Sequence, residues 1–162
     1  MSTAYRLNRL FHPDSGRCID VAVDHGFFGQ AGLLAGIEDM ASAIDALVAA
    51  GPDAIQLAPG QAPLLQARAG RKPALVLRID VTNAYEPEPP SEPFSILVDD
   101  AIGLAVRLDA ACVCVNLLET SADDSILHRE LPVDAIVARA RARNVSVDRR
   151  LHDGRVRLLV YG

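Results

Sequence analysis

The chain has 162 residues, 50% of them hydrophobic and 23% charged, with a formal net charge of -5. That length fits one domain of about 100 to 150 residues, the apolar content excludes a chain disordered by composition, and the acidic balance argues against nucleic acid or an anionic membrane surface as a partner. No apolar run approaches the roughly 20 residues of a membrane helix, and residues 1–17 are polar and basic without an apolar signal core, so a soluble, cytoplasmic protein is expected.

The first apolar run, residues 18–23, is nearly continuous and reads as a strand buried on both faces, interrupted by Asp20. Ile37, Met40, Ala41, Ile44, Leu47 and Val48 then recur at helical spacing, with Glu38 and Asp39 in the first turn where the helix dipole favours acids, and Gly51-Pro52 stops the helix. A second strand is expected over 54–57, followed by a turn at Pro59-Gly60 and a short helix over 63–69. The third strand, 74–79, leads into a loop over 80–93, where Pro87, Pro89, Pro90 and Pro93 sit among Glu86, Glu88 and Glu92 and oppose regular structure. A helix over 99–108, a strand over 111–116 and a helical region over 125–143, broken at Pro132, complete the pattern. Short apolar strands alternating with amphipathic helices predict a parallel α/β sheet. At this pace eight βα units would need about 250 residues, the size of a TIM barrel, and four are visible. Residues 1–143 therefore read as a partial (β/α) barrel. Residues 144–162 read as an atypical, irregular Arg-rich tail, either disordered or a hairpin around Asp153-Gly154 with Val156, Leu158 and Val160 alternating.

Candidate chemistry concentrates where the first strand ends, in Val21-Ala22-Val23-Asp24-His25-Gly26. A carboxylate and an imidazole leaving the carboxyl end of a buried parallel strand occupy the edge where α/β folds place their sites. By the two-residue period Asp20, Ala22 and Asp24 share one face. Asp24 is the candidate catalytic residue, tuned by burial and by any neighbouring cation; the alternative is that Asp24 caps the turn and His25 is exposed. Arg78 and Asp80 share a face at the end of the third strand, either as substrate-binding groups or as a structural ion pair. Gln56 and the amides of the Ala58-Pro59-Gly60-Gln61 turn are further substrate-binding candidates, although such turns more often only connect elements.

Cys18, Cys112 and Cys114 lie in apolar segments and, being odd in number, do not form a secreted disulfide framework. With the scattered histidines they do not reproduce zinc-ligand spacing, and no Gly-rich phosphate loop or Gly-x-Ser-x-Gly elbow is present. No metal and no cofactor are expected. Lys72 is the only lysine, so an amine nucleophile must come from Lys72, the N-terminus or another chain.

Taken together, Val23-Asp24-His25-Gly26, the segment Asp53-Ala54-Ile55-Gln56-Leu57-Ala58-Pro59-Gly60-Gln61, the strand Leu75-Val76-Leu77-Arg78, and Val98-Asp99-Asp100-Ala101 leading to Ala111-Cys112-Val113-Cys114-Val115 resemble the front half of the class I aldolase superfamily. That group includes archaeal-type fructose-bisphosphate, tagatose-bisphosphate and deoxyribose-phosphate aldolases, and the resemblance covers roughly residues 5–142. It implies a TIM barrel that makes or breaks a carbon-carbon bond of a phosphorylated sugar through a lysine Schiff base. Asp24 matches the aspartate that ends the family's first strand and serves acid/base and substrate-hydroxyl chemistry. The family's lysine belongs to the sixth strand and its phosphate loops follow the seventh and eighth. Lys72, ahead of the third strand, does not inherit the lysine's role.

The expectation is thus the first half of a class I aldolase-like barrel, truncated after its fourth unit by a frameshift or complemented by a second polypeptide, and nearly inactive alone. A complete barrel fills its interior with about twelve side chains, so half a barrel leaves apolar surface and strand edges beside residues 18–23 and 111–116 open. A homo-oligomer or a complementing chain is the expected partner, with a small sugar phosphate as ligand. Two rivals stand beside it: a non-catalytic open-sheet module that binds a small phosphorylated ligand or a complementary chain, and a degenerate product without a stable fold.

Overall fold

The computed structural model describes residues 8–28, 31–83, 94–115, 146–152 and 155–161. Four short strands run parallel and lie side by side in chain order: β1 (Asp20–Ala22), β2 (Ala54–Leu57), β3 (Ala74–Arg78) and, after an intervening hairpin, β6 (Cys112–Cys114). The hairpin strands β4 (Asp80–Thr82) and β5 (Ser95–Leu97) form a separate antiparallel pair. Helices α1 (Met40–Ala50), α2 (Ala62–Gln66) and α3 (Ala101–Arg107) make the connections.

Local chemistry accounts for these elements. Asp39 caps α1, its carboxylate accepting from the Ser42 amide (3.2 Å) and hydroxyl (2.6 Å), and this hydrogen bonding holds its carboxyl below the usual range. Gly51 ends α1 in the left-handed region, φ 69°, with its amide bonded to the Leu47 carbonyl. β2 and β3 are buried along their whole length, as strands with one covered face toward helices and another toward a barrel interior should be.

Strand parity sorts the side chains into two groups. Ile55, Leu57, Leu75, Leu77, Ile79 and Val113 face the helices and join Ile44, Leu65 and Ile102 in the main core. Ala54, Ala74, Val76 and Cys112 face the other way, with Cys18 and Cys114 alongside and Leu10 and Phe11 packed against them from the N-terminal segment. Burial pushes the three thiols up, Cys18 and Cys114 to about 11 and Cys112 to about 12, so they stay protonated and are not nucleophiles near neutrality.

Three expectations change. Residues 80–82 are not loop: Val81 and Thr82 are β-branched, precede every proline of the segment, and find a return strand in β5, with Thr82 Oγ1 donating to the Phe94 carbonyl at 2.7 Å. The strands are shorter than their apolar runs, β1 keeping only Asp20–Ala22 and β6 only Cys112–Cys114. The edge at β6 is also not open. Strands β7 (Ser146–His152) and β8 (Arg155–Tyr161) form an antiparallel hairpin, and Val160 of β8 pairs with Val113, giving the sheet order β1-β2-β3-β6-β8-β7. The expected helix over 125–143 with its break at Pro132, the boundary at residue 143, the acid- and proline-rich segment 84–93 and Asn116 lie outside the described residues.

Candidate active site

The carboxyl ends of β1, β2 and β3 converge on one buried polar cluster. Asp24 follows β1 by two residues, where the amide of Val23 still bonds the Gln56 carbonyl at 3.1 Å and so keeps this end of the strand in register with β2. Its side chain is 2% exposed. Two donors meet at the same oxygen: Gln56 Nε2 donates to Asp24 Oδ2 at 2.8 Å and Arg78 Nε donates to it at 2.6 Å. The other side of the guanidinium reaches Asp80, Nη1 to Oδ1 at 3.1 Å, and Asp80 is fully buried at the first position of β4. Charge-assisted bonds of this length are the strong ones.

Register explains the convergence. Ala22 pairs with Gln56, Gln56 with Val76, and Arg78 with Cys114, so Asp24, Gln56, Arg78 and Cys114 are successive positions on the face turned away from the helices. Burial works against the Arg78 charge, yet Cys114, Asp24 and Asp80 around it more than offset this and hold the guanidinium above its usual range. Among the described residues no donor reaches Asp24 Oδ1. The arrangement fixes a carboxylate by one oxygen and presents the other, which suits it to accept a proton or bind a hydroxyl.

Of the sequence-predicted residues, Asp24, Gln56, Arg78 and Asp80 form one chain of bonds. His25 opens a 3₁₀ turn over His25–Phe28 against β4 and is half-buried, next to Asp24 in sequence. The Ala58–Gln61 turn offers little to a ligand: the Ala58 amide donates to Gln61 Oε1 at 3.3 Å, and the Gln61 amide donates to the Ala58 carbonyl at 3.0 Å. That turn connects elements. Lys72 sits ahead of β3, at the end of the strand opposite Arg78, and its ammonium donates to the carbonyls of Arg68 (2.7 Å) and Gly70 (3.3 Å). Two inward residues escaped selection, Asp20 and Cys114, although the two-residue period that selected Asp24 and Arg78 points to both. Among the described residues no group of three or more His, Cys, Asp or Glu is placed to hold a metal ion, and no helix is long and apolar enough to cross a membrane.

A parallel sheet in chain order, with a buried aspartate at the end of its first strand, coincides with a family match: the DeoC/LacD family aldolase pattern covers residues 18–143. The chain belongs to the DeoC/LacD aldolase family. An uncharacterized aldolase of Saccharolobus solfataricus is 34% identical to it over 82 residues, a stretch that covers 49% of this chain and 29% of that protein. The match thus spans less than a third of the relative's length. The order β1-β2-β3-β6 fits the barrel-type fold of the DeoC/LacD family, and the matched stretch contains every residue of the polar cluster.

Proposed function

We propose that these residues form the Asp24-bearing wall of a class I aldolase site acting on a phosphorylated sugar, and that the amine nucleophile comes from outside the 162 residues. Asp24 handles the proton or the substrate hydroxyl through Oδ1. Gln56 and Arg78 hold Oδ2 and so aim the carboxylate, while Asp80 braces Arg78 from behind and His25 contacts substrate at the rim. The observation that carries the reading is the pair of donors on one oxygen of a buried carboxylate. It is supported by membership of the DeoC/LacD family and by the engagement of Lys72 at the opposite end of β3.

Magnitude decides what the wall achieves alone. One acid/base residue contributes about 10² to 10⁴-fold, whereas enzymes reach about 10⁶-fold or more. Without a covalent amine the chain by itself is expected to be nearly inactive. The test is borohydride trapping with dihydroxyacetone phosphate or deoxyribose 5-phosphate. No adduct should form on this chain alone, and one should form when a polypeptide carrying the later barrel strands is supplied. An adduct on Lys72 of the unaided chain would falsify the proposal.

A second reading is favoured by one observation, the antiparallel pairing of β8 on β6, which closes an edge that a growing parallel barrel would use. On this reading the chain is an open-sheet module that binds a small phosphorylated ligand without catalysis. Size-exclusion chromatography with light scattering separates the two: a stable monomer favours the module, and association with itself or with a complementing chain favours the wall.

A further inference from the structure

The polar cluster leaves one requirement of a phosphorylated ligand unmet. It brings two carboxylates, Asp24 and Asp80, to the guanidinium of Arg78, so the trio carries an excess negative charge and repels a phosphate. Positive charge has to come from elsewhere, and strand register brings it to the same face. Val160 of β8 pairs with Val113 of β6, which sets Leu159 opposite Cys114, and Cys114 is in turn the partner of Arg78. Alternate positions of β8, Leu159, Arg157 and Arg155, therefore continue the face of the cluster. Their partners on β7 share it: Arg150 pairs with Arg157, and His152 with Arg155. The face shared with Val113 is mostly apolar, with Val147, Leu151, Val156 and Leu158 on it and Arg149 the exception.

We propose that Arg150 and Arg157, with Arg155 beside them, form an anion site that holds the phosphate of the sugar phosphate, the sugar lying across β6 toward Arg78 and Asp24. Because β8 runs antiparallel to β6, it continues past the carboxyl ends of the parallel strands. Arg157 lies two positions beyond Leu159, about 7 Å further along, and so stands at the height of Asp80, two positions beyond Arg78. Laterally β8 and β7 are two and three strands from β3, about 10 and 14 Å at the usual spacing. Arg150 and Arg157 are directly opposite each other, an arrangement of like charges that destabilises a hairpin unless an anion lies across it. With Arg155 they set three guanidiniums against one carboxylate, Asp148, on this face of the hairpin. A carboxylate is satisfied by one bidentate guanidinium, whereas a phosphate monoester offers three terminal oxygens and a charge of about -1.5 to -2, enough for two. The net charge of -5 opposes a polyanion, so the ligand is a small one. The hairpin lies beyond the family match over residues 18–143, so this phosphate site is the chain's own. Its role rests on the reading of the ligand as a phosphorylated sugar, whereas its binding is measured without the amine or any turnover, so either can fail alone.

The experiment is isothermal titration of the full chain, at low ionic strength, with deoxyribose 5-phosphate, deoxyribose and inorganic phosphate. The sugar phosphate should bind, more tightly than inorganic phosphate, and the free sugar should give no heat. Arg150→Gln combined with Arg157→Gln should weaken the sugar phosphate about a hundredfold, at about tenfold for each charge-assisted bond lost. Arg71→Gln, ahead of β3 at the opposite end of the sheet, should leave binding unchanged. If the double variant does not fold, nitrogen-15 NMR of the wild type decides: the backbone amides of Arg150 and Arg157 must shift with the sugar phosphate, and those of Arg71 and Lys72 must not. The site is overturned by no binding of the sugar phosphate, by wild-type affinity in a folded double variant, by equal binding of deoxyribose and its phosphate, or by tighter binding of inorganic phosphate. Amide shifts confined to residues outside β7 and β8 overturn it equally. Binding that depends on Arg150 and Arg157, without a borohydride adduct even when the later strands are supplied, upholds the site and sinks the catalytic reading instead.

Discussion

The two faces of the four parallel strands follow different rules. The helix-covered face is built from Ile55, Leu57, Leu75, Leu77, Ile79 and Val113, large branched side chains packed against three helices. The opposite face is built from Ala54, Ala74, Val76 and Cys112, with Asp24, Gln56 and Arg78 standing among them. The first face does the work of stability through apolar burial. The second keeps side chains small, leaving room for charged groups that must be held by hydrogen bonds rather than by packing. One strand thus contributes to a core and to a site in alternate residues, and damage to each face should carry a different signature.

The largest effect is expected from Arg78→Ala, which leaves Asp24 and Asp80 buried without their shared cation; breaking such a pair costs about 3 to 5 kcal/mol. Urea denaturation followed by circular dichroism measures it, and a loss below about 1 kcal/mol would mean the two carboxylates are hydrated after all. Next comes Leu77→Ala on the helix side, at about 2 to 5 kcal/mol for a cavity in a tight core. Val76→Ala, one residue away on the other face, should cost no more than about 1.5 kcal/mol, the value of two methyl-sized groups. Equal losses for these neighbours would erase the distinction between the faces.

Gln56→Ala should remove about 1.5 to 3 kcal/mol, since a buried carboxylate loses one of its two donors. The same change should weaken substrate-analogue binding, measured by isothermal titration, if Asp24 is aimed as described. The smallest effect is Asp20→Asn, and its sign depends on pH. The folded carboxyl titrates near 6 against an ordinary 3.8, so the folded state binds the proton more tightly. Its favourable contribution is present below the ordinary value and is lost as pH rises toward 6. Melting temperatures of variant and wild type should therefore draw apart between pH 4 and 7, with the variant the more stable at pH 7. A constant gap across that range would show that Asp20 is hydrated in the folded chain.

Much of this was legible before any coordinates. The apolar period from Ile37 and the stop at Gly51-Pro52 located α1, but its start falls at Met40, because Asp39 caps the helix where the sequence reads as its first turn. The apolar runs over 54–57 and 74–79 became β2 and β3 because burial on both faces leaves no alternation to confuse them. The strand over 80–82 was not legible, since its partner lies beyond four prolines and pairing is a non-local choice. The Ala58–Gln61 turn looked able to offer amides, and only the folded chain shows Gln61 turning back on Ala58.

The amino-acid sequence by itself determined the alternation of strand and helix, the parity that puts Asp20 with Asp24 on one face of the first strand and Arg78 with Asp80 on one face at the end of the third, and the absence of any lysine other than Lys72. These follow from periodicity and composition, which need no knowledge of neighbours. Tertiary structure alone decided that Gln56 and Arg78 meet on one oxygen of Asp24, that Asp80 closes on the other side of the guanidinium, and that β8 covers the edge of β6. Register between strands sets those contacts. A shift of a single residue along any strand would turn its charged groups into the apolar core, so the energy that selects the register belongs to the whole sheet and to no one segment of it.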